Sequence, residues 1–206
     1  GHPRFHNRPR ELAAPYYPFN PINKQGKDYI PLLAARPNTS LFYNGQFVKS
    51  LDSLELWDTC FYDAGIIRAD KPIMFGQFVQ RNAQNAQPYE MFGIEVQTSD
   101  TAEYIHKTIF DATENTLIGD TSAFRLNIIA YTQDTALLKH NGVSLQNINW
   151  QSFSGNNNLS WCTYQVKEGT HILESTSKFS ALYYPQRYIK NPYRQEELSS
   201  YMLQGV

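Results

Sequence analysis

Two Asn-Gly pairs, Asn44-Gly45 and Asn141-Gly142, each stand between short runs of strand-forming residues, and the order of residues around the first recurs around the second. The first hairpin reads Leu41-Phe42-Tyr43-Asn44-Gly45-Gln46-Phe47-Val48 and the second Leu137-Leu138-Lys139-His140-Asn141-Gly142-Val143-Ser144-Leu145. A type I′ turn needs positive φ at both central residues, and Asn-Gly supplies it with a twist that suits antiparallel strands. Further matches flank these landmarks: Phe19 with Phe110, Tyr29 with Phe124, Thr39 with Thr135, Cys60 with Cys162 and Gly65 with Gly169. Ile73-Met74-Phe75-Gly76 falls near Phe179-Ser180-Ala181-Leu182. The interval between matched residues widens steadily along the chain, as loop insertions in a second copy would make it. The expected fold is all-β: two tandem, internally duplicated antiparallel β-sandwich units of jelly-roll or Greek-key type.

Composition agrees, because 14 Tyr and 12 Phe with only 18% charged residues favour strands over a helical bundle. Pro3, Pro9, Pro15, Pro18 and Pro21 keep the start out of regular helix. The expected division is a flexible arm at 1–11, a first β-unit at 12–80, a linker or loop at 81–100 and a second β-unit at 101–190. A tail at 191–206 follows, in which Glu196-Glu197-Leu198 leads to Tyr201, Met202 and Leu203 as a short helix between Pro192 and Gly205. Units of this size have little surface to bury alone, so they are expected to bury surface against one another. The net charge of −1 offers no electrostatic footprint for nucleic acid, and no apolar run is long enough to insert in a membrane as a helix. The start at Gly1-His2-Pro3, without Met, is read as a processed precursor or a cloning remnant.

The search for chemistry turns up binding candidates and no catalytic ones. There is no G-x-S-x-G elbow, phosphate-binding loop or dinucleotide fingerprint. Asp52, Glu55, Asp58, Asp63 and Asp70 crowd the first unit's loops, where turn acids and strand-edge charges account for them better than a glycosidase pair. Of five histidines, His2 and His6 lie in the arm, where with a free amino terminus they resemble a copper or nickel chelate. His171 reads as an ordinary surface or rim position, and no two histidines show zinc spacing with a Cys or carboxylate. Neither a metal nor a cofactor is expected.

Cys60 and Cys162 admit three readings: a disulfide between the copies, two small buried hydrophobes, or a bridge to another chain. Asn38-Thr39-Ser40 and Asn158-Leu159-Ser160 are glycosylation sequons, with Asn38 and Asn158 as acceptors in a secreted protein. Trp57 and Trp161, with Tyr188 and Tyr193, are candidate ligand-binding aromatics, against the alternative that some pack in the core. Trp161, beside the Asn-rich turn, is the best exposed candidate.

Asp28-Tyr29-Ile30, Arg36-Pro37-Asn38-Thr39-Ser40, Ile67-Arg68-Ala69-Asp70-Lys71-Pro72-Ile73-Met74 and Gly76-Gln77-Phe78 stand in an order similar to that of the N-terminal domain family of IgGFc-binding protein. The likeness continues through Gly142 to Trp150, Ser152-Phe153-Ser154-Gly155, Val166 to Leu173 and Phe179 to Tyr184, so that it covers roughly 27–185. Ala-Asp-Lys-Pro-Ile and Gly-Thr-His-Ile-Leu are its most distinctive segments. Where the family tends to continue in Gly and Tyr, this chain has Pro185-Gln186-Arg187-Tyr188-Ile189-Lys190-Asn191-Pro192-Tyr193. The resemblance implies an extracellular, secreted or cell-surface module without enzymatic activity, found in adhesion, mucus or matrix proteins. It would bind a protein or glycoconjugate partner there, or assemble with itself; a carbohydrate-binding module using the aromatics is the alternative.

Overall fold

The computed structural model describes residues 14–19, 28–61, 63–79, 92–95, 104–112, 121–188 and 201–202. The first unit comprises β1 (Ala14–Phe19), β2 (Asp28–Ala34), β3 (Thr39–Tyr43), β4 (Gln46–Leu51), β5 (Leu56–Phe61), β6 (Gly65–Val79) and β7 (Phe92–Glu95). The second comprises β8 (Ile105–Ala112), β9 (Thr121–Tyr131), β10 (Lys139–His140), β11 (Val143–Ser144), β12 (Gln151–Phe153), β13 (Asn156–Val166), β14 (Gly169–Tyr188) and β15 (Tyr201–Met202). A 3₁₀ segment, Thr132–Leu137, precedes β10. By their contacts the units are Gly1–Glu103 with Phe153–Asn156, and Tyr104–Ser152 with Asn157–Val206.

Each unit is one antiparallel sheet, and the two sheets have the same topology. The first runs β4-β3-β6-β2-β5, with β1 and β7 also on β6; the second runs β11-β10-β14-β9-β13-β12, with β8 and β15 also on β14. Strand for strand, β1 to β7 correspond to β8, β9, β10, β11, β13, β14 and β15, and β12 is the addition. The duplication is therefore real. Each unit is a single sheet curled on itself, in keeping with the expected all-β architecture of two units.

The long strand makes the curl. β6 pairs with β1 and β3 through its first part and with β2 and β7 through its second, and the register to β1 breaks between Arg68 and Ile73. β14 pairs in the same way, and its register to β8 breaks between Glu174 and Phe179, the corresponding place. Such an irregularity bends a strand and sharpens its twist. Both parts of β6 then feed one core: Ile67, Ala69, Ile73 and Phe75 join Ile30, Leu32 and Ala34 of β2, Leu41 of β3 and Leu51 of β4. The second core gathers Phe110, Leu126, Ile128, Ala130, Leu138, Leu145, Cys162, Val166, Leu173 and Phe179 among others. Burying each large side chain contributes about 1.5–3 kcal/mol.

The Asn-Gly turns are fastened to the long strands by identical clasps. Asn44 and Asn141 lie at φ of 49° and 50°, and the following glycines at 82° and 80°. Asn44 donates its backbone N–H to the Ile66 carbonyl (2.9 Å), while its Oδ1 accepts the Ile66 N–H (2.9 Å). Asn141 does the same with Ile172, at 2.8 and 2.7 Å. Asn serves twice here, tolerating the left-handed backbone and presenting an acceptor.

Aligned on this clasp, Ile66 corresponds to Ile172, Tyr43 to His140 and Ile73 to Phe179. Phe19 with Phe110, Thr39 with Thr135 and the Asn-Gly pairs correspond as expected. Tyr29 falls one residue from Phe124, against Arg125. Two other matches move further. Gly65 corresponds to His171 instead of Gly169. Cys60, opposite Tyr29, corresponds to Gln165, and Cys162, opposite Ile128, corresponds to Trp57. The added β12 lengthens the connection before β13, and this shift of register is what the residue identities conceal.

The disulfide expectation is corrected accordingly. Neither cysteine is bridged, and Cys162, 1% exposed, faces the second core. In the stretch expected as a linker, β7 pairs with the end of β6. The arm and residues 81–90 lie outside the described residues, as does most of the expected tail helix. Its Tyr201 and Met202 are in a strand, paired with Tyr183 and Leu182.

Asn44→Ala and Asn141→Ala are each expected to lower stability by about 1–3 kcal/mol, since each loses a hydrogen bond and gains backbone strain. Asn→Gly at the same positions keeps the turn and should cost less; urea denaturation measures both. Intact mass without reduction should show two thiols, with Cys60 alkylated readily and Cys162 only on unfolding. Burial raises the pKa of Cys162 and withholds its thiolate.

Candidate functional site

Strand alternation leaves one face of the first sheet outside its core. In β2, Ile30, Leu32 and Ala34 point inward, so Leu33 points out. Leu33 lies opposite Leu56 of β5 on one side and Met74 of β6 on the other. These two flanking residues are 56% and 40% exposed, and together the three make an apolar row across the sheet.

The turn before β5 adds a further exposed apolar residue. Leu54 is 74% exposed and has φ of 64°, a left-handed backbone that a branched side chain rarely adopts. The surrounding bonds hold it there: Leu54 donates its N–H to the Ala34 carbonyl (2.9 Å), and Glu55 donates to the Asp52 carbonyl (3.1 Å). The Glu55 carboxylate accepts the Asp52 N–H (2.8 Å) and pairs with Lys49 (2.9 Å). The Asp52 N–H and then Lys49 hold the Glu55 pKa below its ordinary value. Strain of about 1–3 kcal/mol at such a residue persists only where its surroundings over-determine it. Its effect is to project a leucine into solvent.

Further along the same face, the Tyr29 hydroxyl donates to Asp58 (3.2 Å), and Cys60 stands opposite Tyr29. Burial, then Asp58, raises the Tyr29 pKa. Asp70 accepts the Ser40 N–H (2.8 Å). Glu55, Asp58 and Asp70, considered above for acid–base work, are thus hydrogen-bonded into turns and strand pairs.

The equivalent row in the second unit is Trp161, Ile129 and Ser180. Ile129 and Ser180 are buried, at 8% and 9%, and Trp161 is half-buried. The aromatic candidates do not gather into one platform. Trp57 lies on the inner side of β5 and packs against the first core. Tyr188 ends β14, paired with Thr121, and Tyr193 lies outside the described residues. Trp150 packs against the second core and donates from Nε1 to the Leu145 carbonyl (3.0 Å).

The two sequons differ in setting. Asn38 is exposed in the β2–β3 turn at φ of 53°, with its carbonyl held by Lys71 Nζ (2.8 Å). Asn158 is exposed within β13, and its Ser160 is buried against Thr132 (2.9 Å).

His171, expected at a surface or rim, is 5% exposed and sits against His140. The distance between them in sequence hides this, because the pairing of β10 with β14 creates the contact. The residue order carries no signal for the pair, since it matches Gly65 with Gly169 and not with His171. His2 and His6 lie outside the described residues, and among the described residues no three His, Cys, Asp or Glu side chains cluster as a metal site would require.

None of the curated proteins matches this chain. A solved structure of an anti-sigma factor domain-containing protein from Clostridium clariflavum aligns over 93% of this chain and 83% of that one. At 9% identity and a TM-score of 0.19, it bears on neither fold nor function. The family described as IgGFc binding protein matches residues 12–185, from the start of the first unit almost to the end of β14. Apart from the end of β14 and β15, both sheets lie within that match, and the chain belongs to the IgGFc-binding family.

Proposed function

We propose that this chain is a non-catalytic extracellular module of adhesion, mucus or matrix, and that it binds protein partners through the outer face of its first sheet. The observation that carries the reading is Leu54, held in a strained backbone and 74% exposed, two residues before the exposed Leu56. Apolar side chains gathered on an otherwise polar surface mark contact sites, and strain maintained at one of them favours a functional reason over drift. The family's name, taken from a protein that binds IgG Fc, supports a protein partner.

Immobilised IgG Fc, a mucin and the chain itself are suitable probes for surface plasmon resonance. Binding to one of them is expected to weaken at least about tenfold in Leu54→Asp and in Leu56→Asp, with unfolding midpoints close to wild type. Undiminished binding in both variants would remove the face from the account.

A second reading, a carbohydrate-binding module, draws on Trp161, half-buried on the outer side of β13. A glycan array separates the two readings. Micromolar glycan binding abolished by Trp161→Ala, with no binding to the protein probes, would replace the first with the second.

A further inference from the structure

The second unit places two histidines where the first has Tyr43 and Gly65. In the first unit the Tyr43 ring occupies the space above Gly65, and a Cβ there would collide with it. In the second, His140 ends β10 and His171 stands near the start of β14, with His140 Nε2 2.8 Å from His171 Nδ1.

The protons in this contact can be assigned by elimination. His171 Nε2 lies 2.7 Å from the Lys167 carbonyl, and a carbonyl only accepts, so Nε2 carries the proton. A neutral His171 then has its lone pair on Nδ1, and His140 donates to it from Nε2. The lone pair of His140 is left on Nδ1, 3.1 Å from the Tyr164 hydroxyl, which donates. Three hydrogen bonds therefore run in one direction, from Tyr164 through His140 and His171 to the Lys167 carbonyl. A proton added to His140 goes to Nδ1, forces the Tyr164 hydroxyl to turn round and places a cation in a half-buried contact between rings.

The surroundings of the pair are mainly aromatic, with Glu168 and Glu174 the nearest acidic residues to His171 in sequence. Phe110 of β8 packs against His171 at 5.1 Å between ring centroids, and Tyr164 of β13 meets His140 edge-on at 5.3 Å. Tyr164 is the titratable group facing the pair from β13, where Cys162 is the next on the inner side; Phe110 brings none from β8. Lys139 and Lys167 are sequence neighbours on the pair's own segments. Among the described residues, no third His, Cys, Asp or Glu joins the two rings as a cluster.

We propose that the His140–His171 pair is a pH-sensitive clasp, which holds the β10–β11 hairpin on β14 at neutral pH and releases it on acidification, while the first unit's hairpin does not respond. Burial, then the neighbouring His171, lowers the His140 pKa from its ordinary 6.5. The unfolded chain thus takes up this proton more readily than the folded one. The stabilisation is complete above the ordinary value and is lost as pH falls through it and on through the lower folded value.

The duplication supplies an internal control within the full chain. Amide exchange at Asn141 and Ile172 reports the second hairpin, and exchange at Asn44 and Ile66 reports the first. Between about pH 7.5 and about pH 5, protection at Asn141 and Ile172 is expected to fall at least about tenfold relative to Asn44 and Ile66. Ring ¹⁵N shifts should show His140 as a neutral Nε2–H tautomer at the higher pH. The double variant H140Y/H171G, which installs the first unit's residues, should abolish the difference. Equal loss of protection in both hairpins, or a His140 that titrates at or above 6.5, would overturn the clasp. Both of these readings come from the unmodified chain, so they decide the matter even if the double variant fails to fold.

Discussion

A single bent strand in each unit carries the rest of the fold. β6 is hydrogen-bonded to four of the other six strands of its sheet, and β14 to four of the other seven of its own. A strand that ran straight would present both sets of partners in one open sheet with a bare apolar face. Bent at 69–72 or 175–178, it turns its two parts toward the same core. The two bends are secured by different chemistry. In the first unit, Lys71 Nζ donates to the carbonyls of Pro37 and Asn38 (2.7 and 2.8 Å), and Asp70 accepts from Ser40. In the second, Ser177 donates to Asp134 (2.6 Å) and its N–H donates to Ser175 Oγ (3.1 Å). The connection facing each bend is closed alike, by Thr39 donating to the Arg36 carbonyl and Thr135 to the Thr132 carbonyl.

This pattern separates what duplication keeps from what it releases. Backbone geometry is kept at the Asn clasp, the threonine closure and the bend, where few residue types can meet the requirement. Side chains have diverged: Trp57 corresponds to Cys162, Tyr43 to His140 and Gly65 to His171. The outer faces have diverged as well, with Leu56 and Met74 exposed in the first unit where Trp161 is half-buried and Ser180 buried in the second. Two copies of one frame can therefore carry different tasks, a contact face on one and an acid response on the other.

Features with local causes were legible in the sequence. The Asn-Gly hairpins, the strand class and the correspondence of Phe19 with Phe110 follow from turn chemistry and residue order. The family likeness was legible too, and its two most distinctive segments now have physical meanings. Ala69 to Ile73 is the bend of β6, and Gly169 to Leu173 carries His171 and the clasp partner Ile172. Non-local features were concealed. Matching Cys60 to Cys162 was attractive because cysteine is rare here, yet the shift of register before β13 turns Cys162 into a core residue. Trp57 alternates with exposed Leu56 and Asp58, and only the pairing with Leu32 reveals which side is inward. The row of Leu33, Leu56 and Met74 comes from three separate strands, so no single segment announces it.

The central claim, one bent-strand frame built twice, is tested most directly by cross-strand NOEs in the full chain. Expected are contacts that set Ile73 opposite Ala34 and Phe179 opposite Ala130, together with Tyr43 opposite Ile67 and His140 opposite Leu173. A second half whose NOEs set Cys162 opposite Arg125, the counterpart of Tyr29, or left β10 unpaired from β14, would contradict the shared frame.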